Sequence, residues 1–282
     1  MHWRCGRFDL DLAQPLVMGI VNVTSDSFSD GGRFLDASAA IAQAHRLAAD
    51  GADLLDLGAE STRPGATPVS ADQEIERLLP ILEGLRALTI PISIDTYKPA
   101  VMRAVLDAGA AIINDIQGFA SAESRAAVAD SECGVCVMHM QGAPLTMQQA
   151  PAYSDVVAEV GDWLAQQGAA LEHAGVAADR IVVDPGFGFG KAQSHNLALL
   201  QQLDRIVDAG RAVLIGVSRK SMIGHLSGRP DSSPAERVAP SVAAALFAVG
   251  KGARIVRVHD VRDTVDALHL WQAANGQRIA PH

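Results

Sequence analysis

Short apolar runs alternate with longer segments of helical period along almost the whole chain. Eight runs read as strands: LVMGIVNVT at 16–24, DLLDLGAE at 53–60, PISIDT at 91–96, AIINDI at 111–116, VCVMHM at 135–140, IVVDPG at 181–186, VLIGVS at 213–218 and RIVRVH at 254–259. They are nearly continuous in apolar residues instead of alternating, which is the pattern of parallel strands covered on both faces. The segments between them carry helical stripes. In 153–175, Val156, Val160, Trp163, Leu164 and Leu171 share one face. In 194–209, Ser194 is placed to cap, Leu197, Leu200 and Leu203 form a stripe, and Gly210 can end the helix in a left-handed turn. A helix from Lys98 has Pro99 in its first turn, where a missing N–H is harmless. The segment 233–250 is rich in alanine and apolar residues, so it either packs onto its own fold or forms a dimer face.

One phrase recurs where helices hand over to strands. Gly51-Ala52 leads into Leu54-Leu55-Asp56, Gly109-Ala110 into Ile112-Ile113-Asn114, and Gly252-Ala253 into Ile255-Val256-Arg257. A glycine ends each helix, apolar residues build the strand, and a polar residue stands at or near its end. Eight such units in series predict a (β/α)8 TIM barrel, one domain over residues 1–282. A doubly wound sheet would carry a glycine-rich phosphate turn after its first strand, and NVTSDSFSDGG is not one.

In such a barrel the carboxyl ends of the strands hold the site. Those ends carry Asn22 and Thr24, Glu60 to Arg63, Asp95-Thr96, Asn114-Asp115, His139, Asp184, Ser218-Arg219-Lys220, and Arg257 with His259. Any one of them has an ordinary structural use: Asp95 could cap a helix, and Asp184 could brace the turn at Pro185. The whole set on one rim points to chemistry. Asp95, Asp184 and Asn114 can accept the N–H donors of a flat nitrogen heterocycle, and Asp184 suits an amino-pyrimidinone edge. Lys220 can donate to a ring carbonyl or nitrogen, while Arg63, Arg257 and His259 suit a diphosphate. Two polar loops, 25–32 and 61–68, are placed to close over the barrel mouth and exclude water.

Composition narrows the partners. A net charge of −9 argues against nucleic acid or an anionic membrane, yet a few arginines can still draw an anion into a cleft. No apolar run approaches the ~20 residues that span a bilayer. Cys5, Cys133 and Cys136 make no disulfide framework, and the lone C-x-x-C reads as small residues at a strand entrance. Free thiols and the lack of an N-terminal apolar signal predict a cytoplasmic protein.

From about Val17 to Val261 the chain resembles the dihydropteroate synthases. NVTSDSFSDGG, ESTRPGA, ISIDTYKP, IINDIQGF, DPGFGFGK, GVSRKS and RVHDV stand in that family's order and spacing. The resemblance implies condensation of a dihydropterin methyl diphosphate with 4-aminobenzoate and release of diphosphate. It assigns Asp95, Asn114, Asp184 and Lys220 to the pterin pocket, with Met138, Gly216 and Phe189 flanking the ring. Asn22 would contact Mg²⁺, and Arg63, Arg257 and His259 the diphosphate. Thr62, Pro64 and Phe28 would surround 4-aminobenzoate, with Ser221 near its carboxylate at a helix start. Asp95, Arg63 and Lys220 would matter most to rate, and the resemblance favours a homodimer. Ser25 replaces the proline usual after Asn-Val-Thr, which loosens that loop, and IQGF differs from the small residues usual after Asn114-Asp115.

Two other functions are considered. A pterin-dependent methyltransferase would share the Asp/Asn/Asp pocket but not the Phe28 and Pro64 loops or the Arg257–His259 pair. A non-catalytic pterin-binding paralogue would have lost loop residues, whereas Asn22, Asp30, Arg63 and Lys220 are all present.

Overall fold

The computed structural model describes residues 1–23, 30–60, 69–143 and 146–276. Ten strands and ten α-helices follow in order: β1 (His2–Cys5), β2 (Phe8–Asp11), β3 (Leu16–Asn22), α1 (Asp30–Ala49), β4 (Leu54–Gly58), α2 (Ala71–Gly84), β5 (Ile92–Asp95), α3 (Pro99–Asp107), β6 (Ile112–Asp115) and α4 (Ala122–Ala129). The second half runs β7 (Gly134–Met138), α5 (Val156–His173), β8 (Ile181–Asp184), α6 (Gln193–Gln201), α7 (Leu203–Val207), β9 (Leu214–Ile215), α8 (Ser221–Leu226), α9 (Val238–Gly250), β10 (Ile255–Val258) and α10 (Val261–Ala274). All eight strands expected from the apolar runs are present.

These eight, β3 to β10, pair in parallel in the order β8-β7-β6-β5-β4-β3-β10-β9. A parallel bridge between Val183 and Val213, with Val183 N–H donating to Ala212 O at 3.0 Å, joins β8 to β9. The ring therefore closes as a (β/α)8 barrel. Parallel neighbours need a helical crossover, and the recurring glycine supplies each return: Gly51, Gly109 and Gly252 have φ of +96°, +100° and +101°. Only glycine adopts that geometry without a Cβ penalty.

Alternation along the strands sorts the core into two layers. Leu55 and Leu57 of β4, Ile113 of β6, Val135 and Val137 of β7, Val183 of β8 and Val256 and Val258 of β10 pack outward against the helices. Leu54, Ile112, Cys136, Val182, Leu214 and Ile255 pack inward, together with Trp3, Cys5 and Leu12. That second group fills the amino-terminal end of the barrel.

There the structure corrects the sequence reading, which had no element before residue 16. Residues 2–11 form an antiparallel hairpin, with His2 opposite Asp11 and Cys5 opposite Phe8. Gly6 turns it with φ +60°, and Trp3, fully buried, donates its indole N–H to Arg180 O at 2.9 Å. The hairpin stoppers the end of the barrel opposite the polar rim.

Three helix readings also change. Ser194 does not cap: α6 starts at Gln193, and His195 Nδ1 accepts the Ala192 N–H at 3.1 Å instead. The expected helix 194–209 is two, because Gln202 leaves helical geometry at φ −113° and ψ 29°. The segment 233–250 is also two. Pro234 starts a 3-10 turn with Ser233 and Glu236 as a capping box, and α9 then begins at Val238. Pro240 falls in that helix's first turn, where no N–H is needed.

Candidate active site

Two residues beyond most of the apolar inward positions, the same alternation brings a polar residue, a glycine or, on β7, a methionine into the lumen. Leu54 is followed by Asp56, Ile112 by Asn114, Cys136 by Met138, Val182 by Asp184, Leu214 by Gly216 and Ile255 by Arg257; Ser93 leads to Asp95 on β5. Since Cβ atoms alternate across a strand, these seven carboxyl ends aim their groups at one space.

Arg257 is the hub. Its Nε donates to Asp56 Oδ2 at 2.5 Å and its Nη2 to Asp95 Oδ2 at 3.0 Å. Asn114 Nδ2 donates to the same Asp56 oxygen at 3.3 Å. Burial opposes the guanidinium's charge, but Asp56, Asp95 and Asp184 outweigh it and hold its pKa above the usual value. One cation does not satisfy two carboxylates in a dry lumen. Burial, with Asp56 and other acids adding to it and Arg257 opposing, pushes Asp95 up to about 7. Asp56 Oδ1 and Asn114 Oδ1 are buried without a hydrogen-bond partner. Buried unpaired acceptors are uncommon.

Asp184 closes the floor from β8. Its Oδ1 accepts the Gly186 N–H at 2.7 Å, and burial raises its pKa against the pull of Lys220. The hydrogen bond to Gly186 matches the turn reading of Asp184. Lys220, in the loop after β9, donates to Phe187 O and lies 4.6 Å over the Phe189 ring. Burial brings its pKa down to about 8, against the attraction of Asp184. Met138 is buried at the end of β7. Gly216 leaves a Cβ-sized space beside Arg257, whose own Cβ would be 3.9 Å away.

At the rim, Ser218 Oγ accepts the His259 N–H at 3.2 Å and lies 3.1 Å from its Nδ1. Arg219 and Asp260 pair two-pronged beside them, Nε to Oδ2 at 2.9 Å, although Arg219 holds a left-handed φ of +59°. Ser221 is exposed as the first residue of α8, and Asn22 is exposed at the end of β3. Phe28, Thr62, Arg63 and Pro64 lie outside the described residues. Of the expected cluster of Arg63, Arg257 and His259, the two described members have separate partners: Arg257 turns to the carboxylates of the floor and His259 to Ser218. Among the described residues no group of three or more His, Cys, Asp or Glu side chains could hold a metal.

Three contributors were not singled out from sequence. Asp56 read as an ordinary polar strand residue, yet it is fully buried on Arg257. Lys191, at the end of DPGFGFGK, is buried among carbonyls. Lys98 pairs with Glu60 and, at 2.6 Å, with Glu74, and Glu60 also accepts the Val69 N–H at 3.3 Å. The signal for Asp56 was its parity with Leu54; the other two had none.

With this geometry the relatives agree. The family model described as "Pterin binding enzyme" matches residues 18–259. The chain is 48% identical over 279 residues to the dihydropteroate synthase of Neisseria meningitidis serogroup B, covering 96% of each chain. It superposes on Burkholderia cenocepacia dihydropteroate synthase complexed with 7,8-dihydropteroate at a TM-score of 0.88, with 53% identity, over 98% of this chain and 96% of that one. The Xanthomonas albilineans enzyme with 4-aminobenzoic acid gives 0.90 and 48%, over 98% and 99%. The chain belongs to the dihydropteroate synthase family of pterin binding enzymes.

Proposed function

We propose that this chain joins a (7,8-dihydropterin-6-yl)methyl diphosphate to 4-aminobenzoate, giving 7,8-dihydropteroate and diphosphate in folate biosynthesis. The observation that carries the reading is the lumen set: Asp95, Asn114 and Asp184 as acceptors, with Lys220 as a buried donor, all within reach of one ring. Unpaired Asn114 Oδ1 and Asp56 Oδ1 await N–H donors, which an amino-pyrimidinone supplies. Phe189 and Met138 flank the ring's faces, and Gly216 leaves room beside it.

The methylene C–O bond breaks with its electron pair leaving on diphosphate, and the conjugated ring carries the resulting positive charge. Asp95, ionised, stabilises that charge, since donors and charges aimed at the developing charge act strongly in a dry site. The amine lone pair then forms the C–N bond, and its proton leaves to water. Arg63 and His259 take the departing diphosphate. Arg257 holds Asp95 and Asp56 and meets the anion from the floor. Phe28, Thr62, Pro64 and Ser221 surround the aminobenzoate.

A Mg²⁺ fits as the diphosphate's companion. Asn22 offers one hard, exposed oxygen, and this ion characteristically keeps waters and few protein ligands beside phosphate oxygens. Bound there it would neutralise charge on the leaving group. A homodimer is part of the proposal. Phe247 and Leu270 are 48% and 73% exposed, with Leu246 and Trp271 near them on α9 and α10, an apolar face suited to a second copy. The three cysteines are free and buried, which suits a reducing cytoplasm, and no helix of the described residues is long and apolar enough to cross a membrane.

The test is diphosphate release by purified protein with Mg²⁺ and the pterin substrate, with and without 4-aminobenzoate. Amine-dependent release yielding dihydropteroate is expected. Pterin binding without release would overturn the reading in favour of a binding protein. Sedimentation of Phe247→Asp checks the dimer: the wild type should run as a dimer and the variant as a monomer.

A further inference from the structure

The backbone of 186–191 is satisfied from side chains at every carbonyl. Gly186 O accepts from Lys191 Nζ (2.9 Å), Phe187 O from Lys220 and Gly188 O from Gln148. Phe189 O accepts from Lys191 again (3.0 Å), Gly190 O from Tyr153 (2.9 Å) and Lys191 O from Asn196 (3.2 Å). Lys220 belongs to the substrate site. Lys191 does not: it is 2% exposed and faces inward, under the loop.

Its ammonium has three protons and meets three close acceptors, the two carbonyls and His139 Nδ1 at 2.9 Å, with His139 O farther off at 3.4 Å. With Lys191 charged, the third contact needs a lone pair on Nδ1 and places the proton of a neutral His139 on Nε2; burial pulls the Lys191 pKa down to about 7, against the attraction of Asp184. Burial and the Lys191 charge favour the neutral imidazole, and Trp163 holds the ring edge-on at 5.0 Å. Gly186, Gly188 and Gly190 all have positive φ, +68°, +81° and +62°. A loop of that composition has many other conformations available, so something must select this one.

We propose that Lys191 is a positioning residue for the pterin end of the site: its ammonium is the template around which 184–191 folds. Through that loop it sets the Phe189 ring, the Phe187 carbonyl and the Lys220 ammonium that depends on both. It touches no substrate. The inference rests on the synthase reading and deepens it. A methionine of similar length at 191 would leave Phe189 O and His139 Nδ1 unmet and Gly186 O with the Phe189 N–H alone, at 3.1 Å, and the glycines would let the loop relax toward water instead of keeping them.

The test compares wild type with Lys191→Met below its melting temperature, with folding checked by circular dichroism. Affinity for the pterin methyl diphosphate alone is read by calorimetry, and the KM for 4-aminobenzoate at saturating pterin substrate. The expected result is a loss of about tenfold or more in pterin affinity, with the aminobenzoate KM little changed. Where Lys191→Met does not fold, Lys191→Gln, which keeps two donors, is measured and should show a smaller loss of the same kind. Wild-type pterin affinity in either folded variant, or equal rises in both constants, overturns the inference. A wild-type protein that releases no diphosphate overturns the synthase reading, and the inference with it.

Discussion

The Arg257 guanidinium on β10 donates to the Asp95 carboxylate on β5 over 3.0 Å, across a barrel in which β3 and β4 lie between the two strands. Asp56 on β4 shares the same guanidinium. Two carboxylates on one cation leave the lumen floor with surplus negative charge. A pterin that becomes cationic as diphosphate departs would meet that surplus, and substrate before ionisation would gain less from it. That difference between ground state and transition state is what accelerates a reaction.

Asp95→Asn keeps the shape and one acceptor but removes the charge. Pterin affinity should change little, while kcat falls by about 10²–10³-fold, the range for loss of one electrostatic group at a reacting centre. Steady-state kinetics beside calorimetry of pterin binding separates the two constants. Unchanged turnover would refute the role given to Asp95.

The pH profile follows from two shifted groups. Asp95, raised to about 7 by burial and by Asp56, must be ionised, so kcat/KM should fall as pH drops below about 7. Lys220, lowered to about 8 by burial, must be charged, so kcat/KM should fall as pH rises above about 8. A narrow bell is expected, since this ratio reports groups of the free enzyme. In Lys220→Met the residual activity should lose its alkaline limb and keep the acid one. A flat wild-type profile between pH 6 and 9 would contradict both assignments.

The strands were legible because parallel strands buried on both faces are apolar throughout, and a polar residue at the end stands out. Asp95, Asn114, Asp184 and Arg257 were found in this way. What joins them was not legible, because Asp56 and Arg257 meet across a sequence separation of 201 residues. Lys191 was passed over for a related reason: lysines are seldom fully buried, and nothing local distinguishes the few that are. The amino-terminal hairpin was missed although Trp3 and Cys5 alternate before Gly6, because strands of four residues give few repeats to read. Phe28, Thr62 and Pro64 rest on motif resemblance, and Arg63 on its place at a strand end and the same resemblance.

Gly186 and Gly188 should respond differently to alanine. A Cβ at Gly186 would stand 1.9 Å from His139 O, a backbone atom, at a φ of +68°. At Gly188 the nearest atom is the Lys220 Cδ at 3.5 Å, an ordinary contact. Gly188→Ala thus meets only the left-handed penalty of about 1–2 kcal/mol. Gly186→Ala must also move β7 or the loop, and should cost about 3 kcal/mol or more. Thermal melts of the two variants test the ranking, and equal melting temperatures would show that the loop yields without resistance.

Stability and chemistry should part at the two ends of the barrel. Trp3 is fully buried at the amino-terminal end, packs against Gly134 and Cys5, and gives its indole N–H to Arg180 O. Arg180, itself buried, donates in turn to Cys133 O at 2.7 Å and Val128 O at 2.8 Å, so the hairpin is tied into the entrance of β7. Trp3→Ala opens a large cavity and removes one hydrogen bond, at a cost of about 3–5 kcal/mol. Among the described residues, the groups that meet this side chain, Gly134, Cys5 and Arg180, are none of those assigned to substrate. At a temperature where the variant remains folded, kcat/KM should therefore match the wild type, while the denaturation midpoint falls sharply. A folded Trp3→Ala enzyme with impaired kcat/KM would show that the hairpin reaches the chemistry through the barrel wall, and that the two ends are not independent.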